Sequence, residues 1–322
     1  MTQRTAADLR DALLATRDLA SARAARRDFT RPPAPLPTST DHRRFERAVA
    51  AGLAKAGVDA DEWDSEVAKA RAVDRRRAEA LKADAVQQSG ARARQLAEGI
   101  EGQRKALDLL SNLTHAPAPA GYDALASPFL VLASTGLSVL SSTIEPWRSR
   151  AKFTFEPSSG SPSVHIDAGG TEQLSFFFLW ENPGDGYALV TVDGYLVLNG
   201  YCQAEADGGL FGGDLTTLDV DANLDLHGLP TPPLAQDGQY LPAARLRADA
   251  TDWFSDDVTV PQVVYRGFDL RHELLPVPPG GVVVEVSVSL SYGYGIGAVS
   301  ADFATGEFEV GCPFVQILIL AD

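Results

Sequence analysis

The hydrophobic period of this chain changes once, near residue 120, so one kind of secondary-structure layer cannot hold all of it. No proline occurs from Ala60 to Leu113, and apolar residues there recur at helical spacing. From Tyr122 onward apolar and polar residues alternate in runs punctuated by glycine and proline, as half-buried strands do. The expected fold class is therefore α + β multidomain. An N-terminal helical region, coiled-coil-like or a bundle, precedes an all-β two-sheet sandwich of jelly-roll type. The expected segments are an N-terminal helix at 1–28, a proline-rich linker at 29–40, a helical rod or bundle at 41–115, a second linker at 116–122 and the sandwich at 123–322.

The helical part is weakly amphipathic. Thr5 can cap the first helix, and Pro32, Pro33, Pro35 and Pro37 then make a semi-rigid spacer. Gly57 suits a helix C-cap and Asp59 the next N-cap. Beyond them Val86, Ala93, Ile100 and Leu107 recur every seven residues, with Leu96 and Leu110 three further on from Ala93 and Leu107. Ser89 and Gln103 interrupt this seam, and Gly90, Gly99 and Gly102 each cost about 1 kcal/mol of helix propensity relative to alanine. So thin a stripe cannot hold a lone helix in water. Two solutions exist: a bundle folded back near Ser89-Gly90, or a homo-oligomer, a trimer, joined through Val86, Ala93, Leu96, Ile100, Leu107 and Leu110. The length of the rod and the loose tether at 116–122 favour the second.

In the β half, "LSFFFLW" at 174–180 is apolar on both faces and belongs at the centre of a sheet. "YALVTV" and "YLVLNGYCQA" flank Asp193-Gly194, which predicts a hairpin with a type I′ turn. "VVVEVSVSLSY" at 282–292 points Val284, Val286, Val288 and Leu290 inward and Glu285, Ser287 and Ser289 outward. "CPFVQILIL" is too apolar for an edge and predicts a buried last strand. Residues 124–144 lack any charge over a length close to a membrane span, but Pro128, Gly136 and seven Ser/Thr favour two strands joined at Ser134-Thr135-Gly136.

Charge excludes some partners. Net charge is −15; residues 1–115 carry 21 Lys/Arg against 17 Asp/Glu, and residues 116–322 carry 7 against 26. So acidic a sandwich repels phosphate backbones and anionic lipid, so nucleic acid is not expected as a partner and a membrane is disfavoured. The charged N-terminus has no signal-peptide core, which predicts synthesis for the cytoplasm, with release as part of a particle. Cys202 and Cys312 have no metal or redox spacing and are expected as free buried thiols.

Chemistry is sparse. "LDVDANLDLH" sets Asp219, Asp221, Asn223 and Asp225 at the first, third, fifth and seventh positions of a calcium loop. Leu224 and Pro230 then occupy the positions that need glycine and a bidentate glutamate. The alternation of Leu218, Val220, Ala222, Leu224 and Leu226 reads instead as a strand. Three carboxylates on one strand face repel unless neutralised, so Asp219, Asp221 and Asp225 are candidates for a weak surface cation site. "YGYGIGAVS" at 292–300 lacks the third glycine and the following helix of a dinucleotide loop. No GxSxG or HExxH occurs, and His42, His115, His165, His227 and His272 stand far apart. No cofactor and no catalytic residue is expected.

The functional expectation is a non-enzymatic structural or attachment protein, in the manner of a phage-tail fibre or particle appendage. It self-associates through its helices and presents the acidic sandwich to a protein or glycan. Two alternatives come from other classes: a pore-forming or insecticidal-type toxin, and a lectin-like carbohydrate-binding protein with Tyr201 and Trp253 as ligand-facing aromatics.

Overall fold

The computed structural model of the protein describes residues 51, 55, 57, 60–113, 121–157, 168–206, 215–228, 239–250, 258–294 and 297–320. The N-terminal helix at 1–28, the linker at 29–40 and Trp253 lie outside the described residues. Among the described residues a long helix, α1 (Ala60–Leu113), is followed by twelve strands: β1 (Gly121–Leu125), β2 (Leu130–Ala133), β3 (Ser138–Thr143), β4 (Arg150–Phe155), β5 (Ala168–Asn182), β6 (Ala188–Ala206), β7 (Leu215–Gly228), β8 (Gln239–Asp249), β9 (Val258–Val277), β10 (Gly280–Tyr294), β11 (Ala298–Phe303) and β12 (Glu309–Leu320). The strands form two sheets in which every described pairing is antiparallel. A seven-stranded sheet holds β1, β3, β4, β6, β9, β11 and β12, and a five-stranded sheet runs β2-β5-β10-β7-β8.

The two-period alternation builds the core directly. Leu174, Phe176, Phe178 and Trp180 of β5 meet Val284, Val286 and Val288 of β10 and Leu218, Val220 and Leu224 of β7 between the sheets. Across the gap they pack on Leu196, Leu198, Phe268, Phe303 and Ile317 of the other sheet. Cys202 and Cys312 are buried in this core as free thiols, and burial pushes both well above the usual thiol range. The last strand is interior, with β1, β4 and β6 as neighbours.

Asp193-Gly194 is not a turn. β6 runs unbroken through it, with Asp193 paired to Gln316 on one side and Arg271 on the other. A Cβ on Gly194 would lie 2.8 Å from Val286 Cγ2, so the glycine serves close approach of the two sheets rather than positive φ. The uncharged segment also departs from expectation. β2 and β3 join at Ser134–Leu137, but they belong to different sheets and β3 is exposed almost throughout.

β11 and β12 follow one another along β6 and are interrupted by an excursion at Ala304–Phe308. This excursion is the seat of α1. The helix continues through Ser89-Gly90, which corrects the folded-back bundle, and it lies against the outer face of the seven-stranded sheet, which corrects the detached rod. Ala85 packs with Tyr201 and Phe308. Ser89 Oγ accepts the Glu307 N–H at 3.2 Å, and Asn199 Nδ2 donates to Glu307 O at 2.9 Å. The Arg92 guanidinium stands 5.6 Å from the centre of the Tyr265 ring. Lys82 Nζ meets Asp302 Oδ2 at 2.8 Å.

Burial alone would raise the Asp302 carboxyl, but bonds from Lys82, Thr305 and Ala304 outweigh it and hold the group below the ordinary aspartate value. A depressed carboxyl contributes stability that is complete above its unfolded value of about 4 and is lost as pH falls through the lower folded value. Acidification below about pH 4 is therefore expected to lower amide protection, relative to the intrinsic exchange rate at each pH, over residues 78–92 of α1. Asp302→Asn should abolish that pH dependence. Protection in the native chain that is unchanged by acid in this window contradicts the assignment.

Candidate functional site

The polar residues of β7, β10 and β5 that do not enter the core converge on the outer face of the five-stranded sheet. "LDVDANLDLH" lies within β7, whose residues alternate between buried and half-buried along most of its length. Because opposed residues of antiparallel strands share a face, the register sets polar rows across the sheet. Tyr240, Asn223, Ser287 and Ser175 form one row from β8 to β5. Asp221, Ser289 and Gln173 form the next, and Arg245, Asp219, Ser291 and Thr171 the one beyond. Gly293 and Gly169 are paired at its far end, where the face flattens. At the other end Asp225 and Glu285 are opposed, and His227 stands one row further, beside Val283.

These groups are bonded into a fixed network. Gln173 Nε2 lies 2.9 Å from Glu285 Oε1, 2.8 Å from Ser287 Oγ and 3.1 Å from Ser175 Oγ. It closes over both serines, which are buried. Asn223 Nδ2 donates to Ser289 Oγ at 2.9 Å, and the Thr171 and Ser291 hydroxyls stand 3.2 Å apart. His227 Nε2 is 2.7 Å from Glu285 Oε2, whereas its Nδ1 is buried without a hydrogen bond. An apolar cluster of Phe177, Val283, Leu130 and Leu132 borders this end. Tyr240 borders the other flank with 65% of its surface exposed.

The electrostatics divide the face in two. Burial, and then the facing Glu285 carboxylate, push the Asp225 carboxyl up to about 6, against the pull of His227. Burial alone would lower the His227 pKa, but the bond to Glu285 and the charges of Glu285 and Asp225 raise it. Asp219 and Asp221 are neutralised differently, by Arg245 of β8. The repulsion that made Asp219, Asp221 and Asp225 candidate cation ligands is thus relieved by Arg245 for two of them and by burial and His227 for the third. Among the described residues no three His, Cys, Asp or Glu side chains converge as a metal site.

The other sequence candidates lie elsewhere. Tyr201 is not ligand-facing: it is buried beneath α1, with its hydroxyl 3.2 Å from Ala78 O and 2.6 Å from Gln203 Oε1. Of the residues expected to grip another chain, Val86 is half-buried on the Ala85, Tyr201 and Phe308 cluster of its own chain. Ala93, Leu96 and Ile100 are half-buried, and the side chains of Leu107 and Leu110 lie outside the described residues. Sequence alone did not point to Gln173, because it precedes the apolar run of β5 and only the pairing of β5 with β10 brings it beside Glu285.

No family model matches this chain, and no curated protein matches it. Several of the solved structures with partial likeness are carbohydrate-binding modules. The carbohydrate-binding module TmCBM61, solved with beta-1,4-galactotriose, is 11% identical over 60% of this chain and 88% of its own, with a TM-score of 0.19. TmCBM27, described as a mannan-recognising module, is 8% identical over 63% of this chain and 100% of its own, with a TM-score of 0.25. The enzymatically active domain of bacteriophage CBA120 tailspike protein 4 is 11% identical over 61% of this chain but only 19% of its own, with a TM-score of 0.18. At TM-scores this low the likenesses carry neither a function nor a finer fold name to this chain.

Proposed function

We propose that the protein is a non-enzymatic attachment protein of jelly-roll type that holds a neutral glycan on the outer face of its five-stranded sheet. The observation that carries this reading is the fixed hydroxyl, amide and carboxylate network bordered by the exposed ring of Tyr240. A sugar presents ring faces that pack on an aromatic and hydroxyls that both donate and accept. The network supplies both kinds of partner, and Arg245 and His227 offset part of the charge of Asp219, Asp221, Asp225 and Glu285. Because its groups already hold one another in place, little ordering is needed on binding. Such a sandwich behind an N-terminal helical region suits the appendage of a particle.

A glycan array on the full chain should identify neutral oligosaccharides, and titration with the best of them should give a measurable heat. Tyr240→Ala and Asn223→Ala are each expected to weaken binding about tenfold. Tyr187→Ala removes another exposed ring, one residue before β6 of the seven-stranded sheet, and should leave affinity unchanged. If no neutral glycan binds, or if both face variants bind as the native chain does, the reading fails.

A further inference from the structure

Among the described residues the strands with a neighbour on one side only are β1, β2, β3, β8 and β9, and all of these but β3 carry a short length, a proline or a charge that opposes pairing with another chain. β8 contains Pro242 and alternates Arg245, Arg247 and Asp249 along its solvent side. β9 contains Pro261 and charged Arg266, Asp269, Arg271 and Glu273, and its Arg271 N–H is bonded to Gln239 of β8, so these two edges close on each other. β2 has four residues, and β1 has five with Asp123 among them. Short length, proline, charge, bulges and covering are the usual means by which edges are kept apart.

β3 has neither charge nor proline. Its sequence is Ser-Val-Leu-Ser-Ser-Thr, and no charged residue occurs from Ala124 to Ile144. Among the described residues it pairs with β4 alone, and the bulge between Val139 and Ser141 is the one such device it carries. Val139 is 41% exposed and Leu140 62%, with Ile144 and Phe129 also open to solvent. We propose that β3 is a self-association edge, where the same strand of a second copy pairs with it antiparallel and joins two seven-stranded sheets across a twofold axis.

The identity of the occupant follows from charge and shape. Residues 116–322 carry 26 acidic against 7 basic side chains, so identical sandwiches repel wherever charged surfaces meet. The uncharged edge is where that repulsion is least, and a cationic partner has nothing to pair with there. A twofold axis between Leu140 and Ser141 opposes each Leu140 to the partner's Ser141, each Val139 to the partner's Ser142 and each Ser138 to the partner's Thr143. Every bulky side chain then faces a small one, no like charges are opposed, and the terminal hydroxyls can bond to each other. The whole strand pairs with its own copy in one register.

The test is sedimentation velocity of the full chain over a wide concentration range. A monomer–dimer equilibrium is expected. Leu140→Lys, at an exposed position, should keep the native melting temperature and weaken dimerisation about a hundredfold, because it places an unpaired charge in the pairing. Mixing Leu140→Lys with Ser141→Asp should restore a dimer, since the axis opposes these two positions. A native chain that stays monomeric throughout, or a dimer untouched by Leu140→Lys, overturns the edge. A mixture that stays monomeric overturns the antiparallel register.

Discussion

Trp180→Ala is expected to lower the unfolding free energy by about 3–5 kcal/mol, the range for deleting a buried aromatic. Trp180 is buried on the core side of β5, and its indole Nε1 donates to Asp123 Oδ2 at 2.9 Å. Asp123 belongs to β1 in the opposite sheet, so one side chain both fills the layer between the sheets and ties them across it. Alanine leaves a cavity that flanking Phe178 and Val282 cannot fill without leaving their strands, and it strips Asp123 of that bond. Trp180→Phe retains most of the volume and loses the bond, which should cost about 1–2 kcal/mol. Chemical denaturation of the three chains measures the series. A loss below about 1 kcal/mol for the alanine variant contradicts the placement of this ring.

Tyr201→Ala is expected to release α1 while leaving the sandwich folded. The ring is the centre of the contact between helix and sheet, packed with Ala85 and Phe308, with the Lys82 ammonium 5.6 Å from its centroid. Its loss should cost about 3 kcal/mol of docking free energy, and amide exchange over residues 78–92 should rise about a hundredfold. Strands β5 and β10 on the far sheet should keep their protection. Helix protection equal to that of the native chain shows that α1 is held by something other than this contact.

The docking line of α1 shows why helical sequence was harder to read than strand sequence here. A seam was expected on Val86, Ala93 and Ile100, where the larger apolar residues repeat. The contacts instead follow Ala78, Lys82, Ala85, Ser89 and Arg92, about one position round the helix. Small residues let the helix axis approach the excursion closely, and polar ones answer Asp302, Asn199 and Tyr265, so the buried stripe is not a greasy one. Strand periodicity misleads less, because with a repeat of two the core faces of β7 and β10 follow from alternation alone. Asp193-Gly194 failed as a turn for a related reason: glycine marks either positive φ or close packing, and only the neighbouring Val286 distinguishes them.

Local rules in the sequence determined the change from helix to strand near residue 120, the inward and outward residues of the long strands, the interior last strand and the strand nature of "LDVDANLDLH". Each depends on residues close in the chain, whose periodicity or turn chemistry acts before any long-range contact forms. Tertiary structure alone decided that Asn223, Ser287, Gln173 and Tyr240 share a face, that α1 lies on the sandwich and buries Tyr201, and that β3 has β4 as its one strand neighbour among the described residues. Those facts depend on which strands pair and in what register. The energies that choose the register come from packing between distant segments, which no local pattern records.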